Sequence, residues 1–227
     1  MVTTSQMTMQ PKFLDKSALE SKAEELLAAY LGGTLLERAQ PIDIYHFAEF
    51  ELEASVDYQP LSEDGLTLGM SVFQEGSVPI YKSPGVMVDT VFPAKTIIID
   101  SEALESSPES RERFTVAHEC AHQVLHPRYF YRDPHMNTEA TTYRPYQANA
   151  EQHSESFDRT EWQANYLGAA LLMPRRSFAA KFSDLTPNGW MRLSPAGKKC
   201  VVSNLAETFE VSRMATALRI KNIKLVK

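Results

Sequence analysis

The spacing of apolar residues divides the chain into helical, strand-like and patternless stretches. Leu19, Ala23, Leu26, Leu27 and Tyr30 keep helical spacing, and Gly32-Gly33 ends the run. Ser17 and Glu20 form an S-x-x-E capping box that predicts where this helix starts. Pro41 opens a short amphipathic stretch, PIDIYHFAEF. Between 51 and 100 the pattern shortens to four strand-like runs: ELEASVDY, GLTLGMSVF, GVMVDTVF and KTIIIDS. Gly65, Gly76, Pro84-Gly85 and Pro93 punctuate them, which predicts a small, mostly antiparallel sheet.

Ser107-Pro108-Glu109 predicts a helix start, with Ser as N-cap and Pro as the first helical residue. That helix runs to about His126, where Pro127 stops it. Residues 128–157 are polar and aromatic without periodicity and predict an irregular insertion. Such segments often serve substrates or act as lids, and a roleless insertion is the other reading. TEWQANYLGAALLM predicts a strong helix closed by Pro174. Residues 175–227 read as helical, with VVSNLAETFEVSRMATALRI forming two helices joined at FEVS and Ser212 capping the second. The expected class is α+β. A small antiparallel sheet packs on the 107–126 helix, and the 160–173 helix lies opposite. Residues 1–174 form one domain and 175–227 a helical, helix-turn-helix-like subdomain.

Composition narrows the classes. The 227 residues are 43% apolar, enough for a core. The net charge of −6 does not advertise nucleic-acid binding by the molecule as a whole. Only Cys120 and Cys200 are present, with no C-x-x-C, so neither a disulfide framework nor a thiolate zinc site is available. Any metal must be held by His, Glu or Asp. The first 17 residues lack an apolar signal core, and no run approaches the ~18 apolar residues of a membrane span. A soluble cytoplasmic protein is expected.

Chemistry concentrates in FTVAHECAHQVLHP, residues 114–127. Residues i and i+4 share a helix face, so His118 and His122 can grip one ion. Glu119 is offset by about 100° and can reach a water held there, where a general base belongs. The bland alternative is a pair of hydrogen-bonded core histidines. Cys120 points away from that face and reads as a small buried residue.

Catalytic zinc normally takes three protein ligands and keeps a position for water. The candidates for the third are His126, His135, His153, Glu139, Glu151, Glu155, Asp158 and Glu161. His126 lies about 12 Å along the axis from His118, too far to converge on one ion, and suits a helix cap or a supporting role. Glu161 stands on a strong helix, with Asn165 one turn later on the same face, able to hydrogen-bond a ligand histidine. Against that, Asp158 and Glu161 also spell a D-x-x-E capping box, which would make Glu161 a helix-start residue.

FTVAHECAHQVLH followed by EWQANYLGAALLMP resembles the ImmA/IrrE family of metallopeptidases, whose pattern is roughly FT-x-AHE-x-x-H-x-x-LH and then E-x-x-A-N/D-x-F-A-x-x-LLMP. The PIDI start and LAETFEVSRMATALRI extend the resemblance over about residues 17–222. It implies a zincin-like core and one Zn²⁺ per chain, held by His118, His122 and Glu161. It also implies Glu119 as base, and Asn165 at a position that often orients a ligand histidine. Cys120-Ala121 replaces a common Leu-Gly, and Leu167-Gly168 a common Phe-Ala, with the ligand positions intact.

The expected activity is zinc-dependent hydrolysis of a peptide bond in a protein. The resemblance suggests that the substrate is an Xre/Cro-type repressor or antitoxin-like regulator of a mobile element. An oxyanion would need a further donor, and Tyr143, Tyr146, His153 and Arg159 are candidates without a choice among them. The competing class is a regulatory binding module with a structural zinc and a helix-turn-helix-like end; a toxin-like role in a two-gene module is a third reading. Ser212 and the five basic residues from Arg213 to Lys227 would suit DNA contact by 198–227, but Glu210 at the turn would lie near phosphates. DNA contact is therefore the lesser expectation, and the segment is expected to pack beside the core.

Overall fold

Asp15, not Ser17, starts the first helix. In the computed structural model, which describes residues 12–32, 34–105, 107–130, 143–147 and 155–226, α1 spans Lys16–Leu31 and the Asp15 carboxylate accepts from the Ala18 amide at 2.8 Å. Gly32 ends it in the left-handed region at φ 65°. The expected Ser17–Glu20 capping box therefore does not form. Glu20 turns inward and meets Arg219 of the C-terminal helix at 2.5 and 2.8 Å. A short α2, Thr34–Glu37, precedes α3, Ile44–Phe50. Asp43 caps α3 by accepting from the His46 amide, so Pro41 lies ahead of the helix rather than inside it.

Among the described residues six strands follow: β1 Ser55–Gln59, β2 Thr67–Val72, β3 Gly76–Ser83, β4 Val86–Phe92, β5 Thr96–Asp100 and β6 Tyr143–Gln147. Four of them form a sheet in the order β1-β5-β2-β6. β1 runs parallel to β5, with Asp57 opposite Ile98, while β2 is antiparallel to both β5 and β6. The sheet is thus mixed, because the chain crosses from β1 through β2 and a hairpin before β5 returns beside β1. The hairpin, β3 with β4, is a separate two-stranded sheet. β3 carries Pro79 inside GSVPIYKS, which broke the strand pattern in the sequence; a two-stranded ribbon has only edges, where proline is tolerated. β6 lies inside the stretch expected to be irregular.

After α4, Ser101–Glu105, comes α5, Glu109–Leu125. Pro108 takes the N-cap position and no side chain caps it; Ser107, the expected cap, accepts from Arg111 instead. Pro127 both ends α5 and begins a further turn, α6, Pro127–Phe130. Helix α7, Glu155–Leu172, starts earlier than the apolar pattern indicated. Then come α8, Arg175–Leu185, a 3-10 turn at Trp190–Arg192, α9, Pro195–Phe209, and α10, Arg213–Asn222. Ser212 caps α10 by accepting from the Ala215 amide at 3.1 Å, as expected.

The fold is α+β. Helix α5 lies between the sheet and α7, and two glycines permit that closeness. A Cβ on Gly69 of β2 would stand 2.8 Å from the Thr115 methyl and 3.0 Å from Glu119 Oε1. A Cβ on Gly168 of α7 would stand 3.1 Å from the backbone of Ala117 and His118. The main core joins α1, α3, α5 and α7 to Phe178, Leu205, Phe209 and Ile220 of the last three helices. A smaller core, including Met70, Ile98 and Phe92, fills the space under the β3–β4 hairpin.

Candidate metal centre

Helix α5 presents His118 and His122 one turn apart, both buried, and α7 brings Glu161 across to them. Glu161 Oε2 lies 3.3 Å from His118 Nε2, and Oε1 lies 3.2 Å from His122 Nε2. The two Nε2 atoms are 3.0 Å apart. A tetrahedral zinc with bonds of about 2.0–2.1 Å requires donor–donor separations of roughly 3.3 Å. The triangle of two imidazole nitrogens and a carboxylate oxygen therefore has the size and chemistry of one face of such an ion's coordination shell. Among the described residues these three form the one group of His, Cys, Asp and Glu close enough to hold an ion.

Each imidazole is oriented from behind. Asn165 Oδ1 lies 3.2 Å from His118 Nδ1, so a proton on Nδ1 leaves Nε2 with a free lone pair toward Glu161. His122 is set by a longer chain. His126 Nδ1 is 2.9 Å from His122 Nδ1, His126 Nε2 is 3.2 Å from Gln163 Oε1, and Gln163 Nε2 donates to the Lys12 carbonyl at 2.9 Å. One arrangement of protons along this chain readies His122 for a metal. The carbonyl of Lys12 can only accept, so the Gln163 amide nitrogen faces it and Oε1 faces His126. His126 then carries its proton on Nε2 and accepts at Nδ1 from His122, whose Nε2 is left to bind a metal. His126 is thus the helix C-cap and a support for a candidate ligand.

Protonation matches the geometry. Burial drives the His122 pKa well below its ordinary value, against the pull of Glu161, and keeps the ring neutral. Burial would raise the Glu161 carboxyl, but the imidazoles of His118 and His122 against it outweigh that and hold it far below the usual carboxylate range. A neutral imidazole and an ionised carboxylate are the forms that ligate metal.

Glu119 is fully buried beside β2. Ser71 Oγ donates to its Oε2 at 2.7 Å, and bare Gly69 leaves room for its side chain. Cys120 faces the core, and burial pushes its thiol pKa up, away from reactive thiolate.

The helix α7 begins before Asp158, so the alternative reading of Asp158 and Glu161 as a capping box at the helix start is overturned. Of the other candidates, His135, Glu139, Glu151 and His153 lie outside the described residues. For Glu155, Asp158, Tyr143 and Tyr146 only the backbone is described, in α7 and β6. Arg159 lies over the Phe13 ring at 6.0 Å. Two contributors were missed in the sequence, Ser71 and Gln163. Ser71 left a weak signal as a polar residue in the mostly apolar β2, while Gln163 lies among other polar residues of α7 and left none; both are almost fully buried.

The family model Peptidase_M78, described as the IrrE N-terminal-like domain, matches residues 78–221. The match covers more than half of the chain and includes α5, α7 and most of α10. A comparison with curated proteins gives no significant match.

Proposed function

Because the chain belongs to the M78 metallopeptidase family, that of the IrrE N-terminal-like domain, we propose that it is a zinc-dependent endopeptidase that cleaves a regulatory protein. The observation that carries this reading is the triangle of His118, His122 and Glu161, with separations of 3.0–3.3 Å, next to a carboxylate that lies outside the triangle. A structural site would have no use for that adjacent base.

His118, His122 and Glu161 would hold the ion, with Asn165 and His126 orienting the two rings. Bound there, zinc supplies an acidified water and a polarised carbonyl. Glu119 takes a proton from the water as its oxygen bonds to the scissile carbonyl carbon. The C–N bond then breaks, and Glu119 returns the proton to the leaving amine. Ser71 donates to Glu119 Oε2 and so holds the carboxylate in place. A repressor or antitoxin-like protein in the cytoplasm is the substrate class that the family resemblance supports; no helix among the described residues is long and apolar enough to cross a membrane.

The test is metal content by mass spectrometry, wild type beside Glu161→Ala, followed by proteolysis assays with Glu119→Gln. About one zinc per chain is expected in the wild type, with a sharp loss in Glu161→Ala. Glu119→Gln should keep its zinc and lose about 10²–10⁴ in rate. Full proteolysis by zinc-loaded Glu119→Gln would rule out this mechanism.

A further inference from the structure

A groove of about 610 Å³ opens beside the metal centre, walled by α5, α7 and α10. Asn165, 3.2 Å from His118, and Thr115, one turn before Glu119, line it. Trp162, the residue after Glu161, lines it as well. The far wall is α10, where Met214 and Leu218, one turn apart, are 74% and 54% exposed. Two large apolar residues left bare on the same face of a helix mark a surface that meets something other than water. The volume falls within the range of about 300–1,000 Å³ typical of ligand pockets.

The wall is rigid. Arg219 of α10 is buried, pairs through both outer nitrogens with Glu20 and donates through Nε to the Met173 carbonyl at 3.0 Å. The turn before α10 is tied to α5 by Glu210, 3.6 Å from Arg113. The segment that sequence alone made a candidate DNA reader thus turns an apolar face toward the groove and buries one of its arginines.

We infer that this groove receives an apolar side chain of the substrate peptide next to the scissile bond, and that Met214 and Leu218 set this preference. The inference rests on the peptidase reading of the metal centre. Continuity selects the occupant, because the turn of α7 that follows Glu161 and the turn of α5 that precedes His118 line the groove. A peptide whose carbonyl reaches those residues lays its neighbouring side chains here. Polar Ser110 and Arg111 line the groove with the apolar residues and can hydrogen-bond peptide backbone.

The experiment uses short Ala-Ser peptides that differ in one central guest residue. Their binding to zinc-loaded Glu119→Gln protein is read by tryptophan fluorescence, and their cleavage by wild type is read in parallel. Peptides with Leu, Met or Phe at the guest position should bind about tenfold or more tighter than those with Asp or Lys. In the Glu119→Gln background, Leu218→Lys should remove that preference and favour Asp, and Met214→Glu should favour Lys. Met191→Lys, at an exposed site outside the groove, should change nothing. Zinc content and melting temperature of each variant report its folding; both substituted groove positions are exposed, which makes them tolerant. Binding that ignores the guest residue, or a wild-type preference retained in both groove variants, overturns the inference. Cleavage without guest preference leaves the peptidase reading standing and removes the groove. Leu218-dependent binding with no cleavage by wild type removes the peptidase reading and leaves the groove as a peptide site.

Discussion

Gln163 shows how far the candidate metal centre reaches beyond its three donor residues. It touches no candidate ligand, yet its amide supports His126, which in turn supports His122. Gln163→Leu should leave all three donors in place and weaken zinc binding by about 10–100-fold, as other losses of such supports do. Chelator competition measures this directly, and an unchanged affinity would mean that packing alone orients His122. The pH response also belongs to single residues. Folded His122 has a pKa below its unfolded value of 6.5, so the native state binds fewer protons there than the unfolded chain. The sign of that difference makes stability complete above about pH 6.5 and lost as pH falls. Glu161, depressed below 4.5, adds its own loss at more acid pH. The melting temperature of metal-free protein should therefore fall from pH 7.5 to 5.5 and fall further below 4.5; a flat profile would contradict the assignment.

At the scale of elements, the contact between α5 and α7 decides whether the donors meet at all. Gly168 lets the two helix backbones approach, and 3.1 Å is too close for a Cβ against atoms that cannot rotate away. Gly168→Leu should push the helices apart and cost about 1–3 kcal/mol, read by urea denaturation. Because Glu161 rides on α7, zinc affinity should drop in the same variant. The strand β2 plays the matching role on the other side, with Gly69 and Ser71 facing Glu119. Elements whose period is clean were legible: α5, α9 and α10, together with β2, β4 and β5, lie where apolar spacing predicts them, and α7 begins ahead of its apolar pattern. Others were not. β3 hides behind Pro79, β6 lies in a stretch with no alternation, and α2 is too short to show a period. Caps misled where two polar residues competed, as Asp15 displaced Ser17 and freed Glu20 for a distant partner.

Across the whole molecule, Glu20 and Arg219 join the two ends of the chain in a buried, bidentate pair, with Tyr166 donating to the same carboxylate at 2.7 Å. Removing one partner strands a buried charge. Arg219→Met should therefore cost about 3–5 kcal/mol, while the double change Glu20→Leu with Arg219→Met should recover much of it. Urea titrations of the two variants separate these cases. The same pair ties α10 to the body that carries the metal centre, so the single variant should also lose selectivity in the groove.

By itself the sequence determined what depends on local order: the helix carrying His118, Glu119 and His122, and the α+β class. Those follow from periodicity and composition, which act over a few residues. Glu161 was one of several candidate acids until the family resemblance favoured it. The tertiary structure alone brought its oxygens to 3.2 and 3.3 Å from the histidines. It also decided the parallel pairing of β1 with β5, the Gln163 support, and the turning of α10 toward the groove. Each of these joins residues far apart in the chain through burial and close packing. No spacing rule records such contacts, because the energy that selects them exists only once the chain has closed on itself.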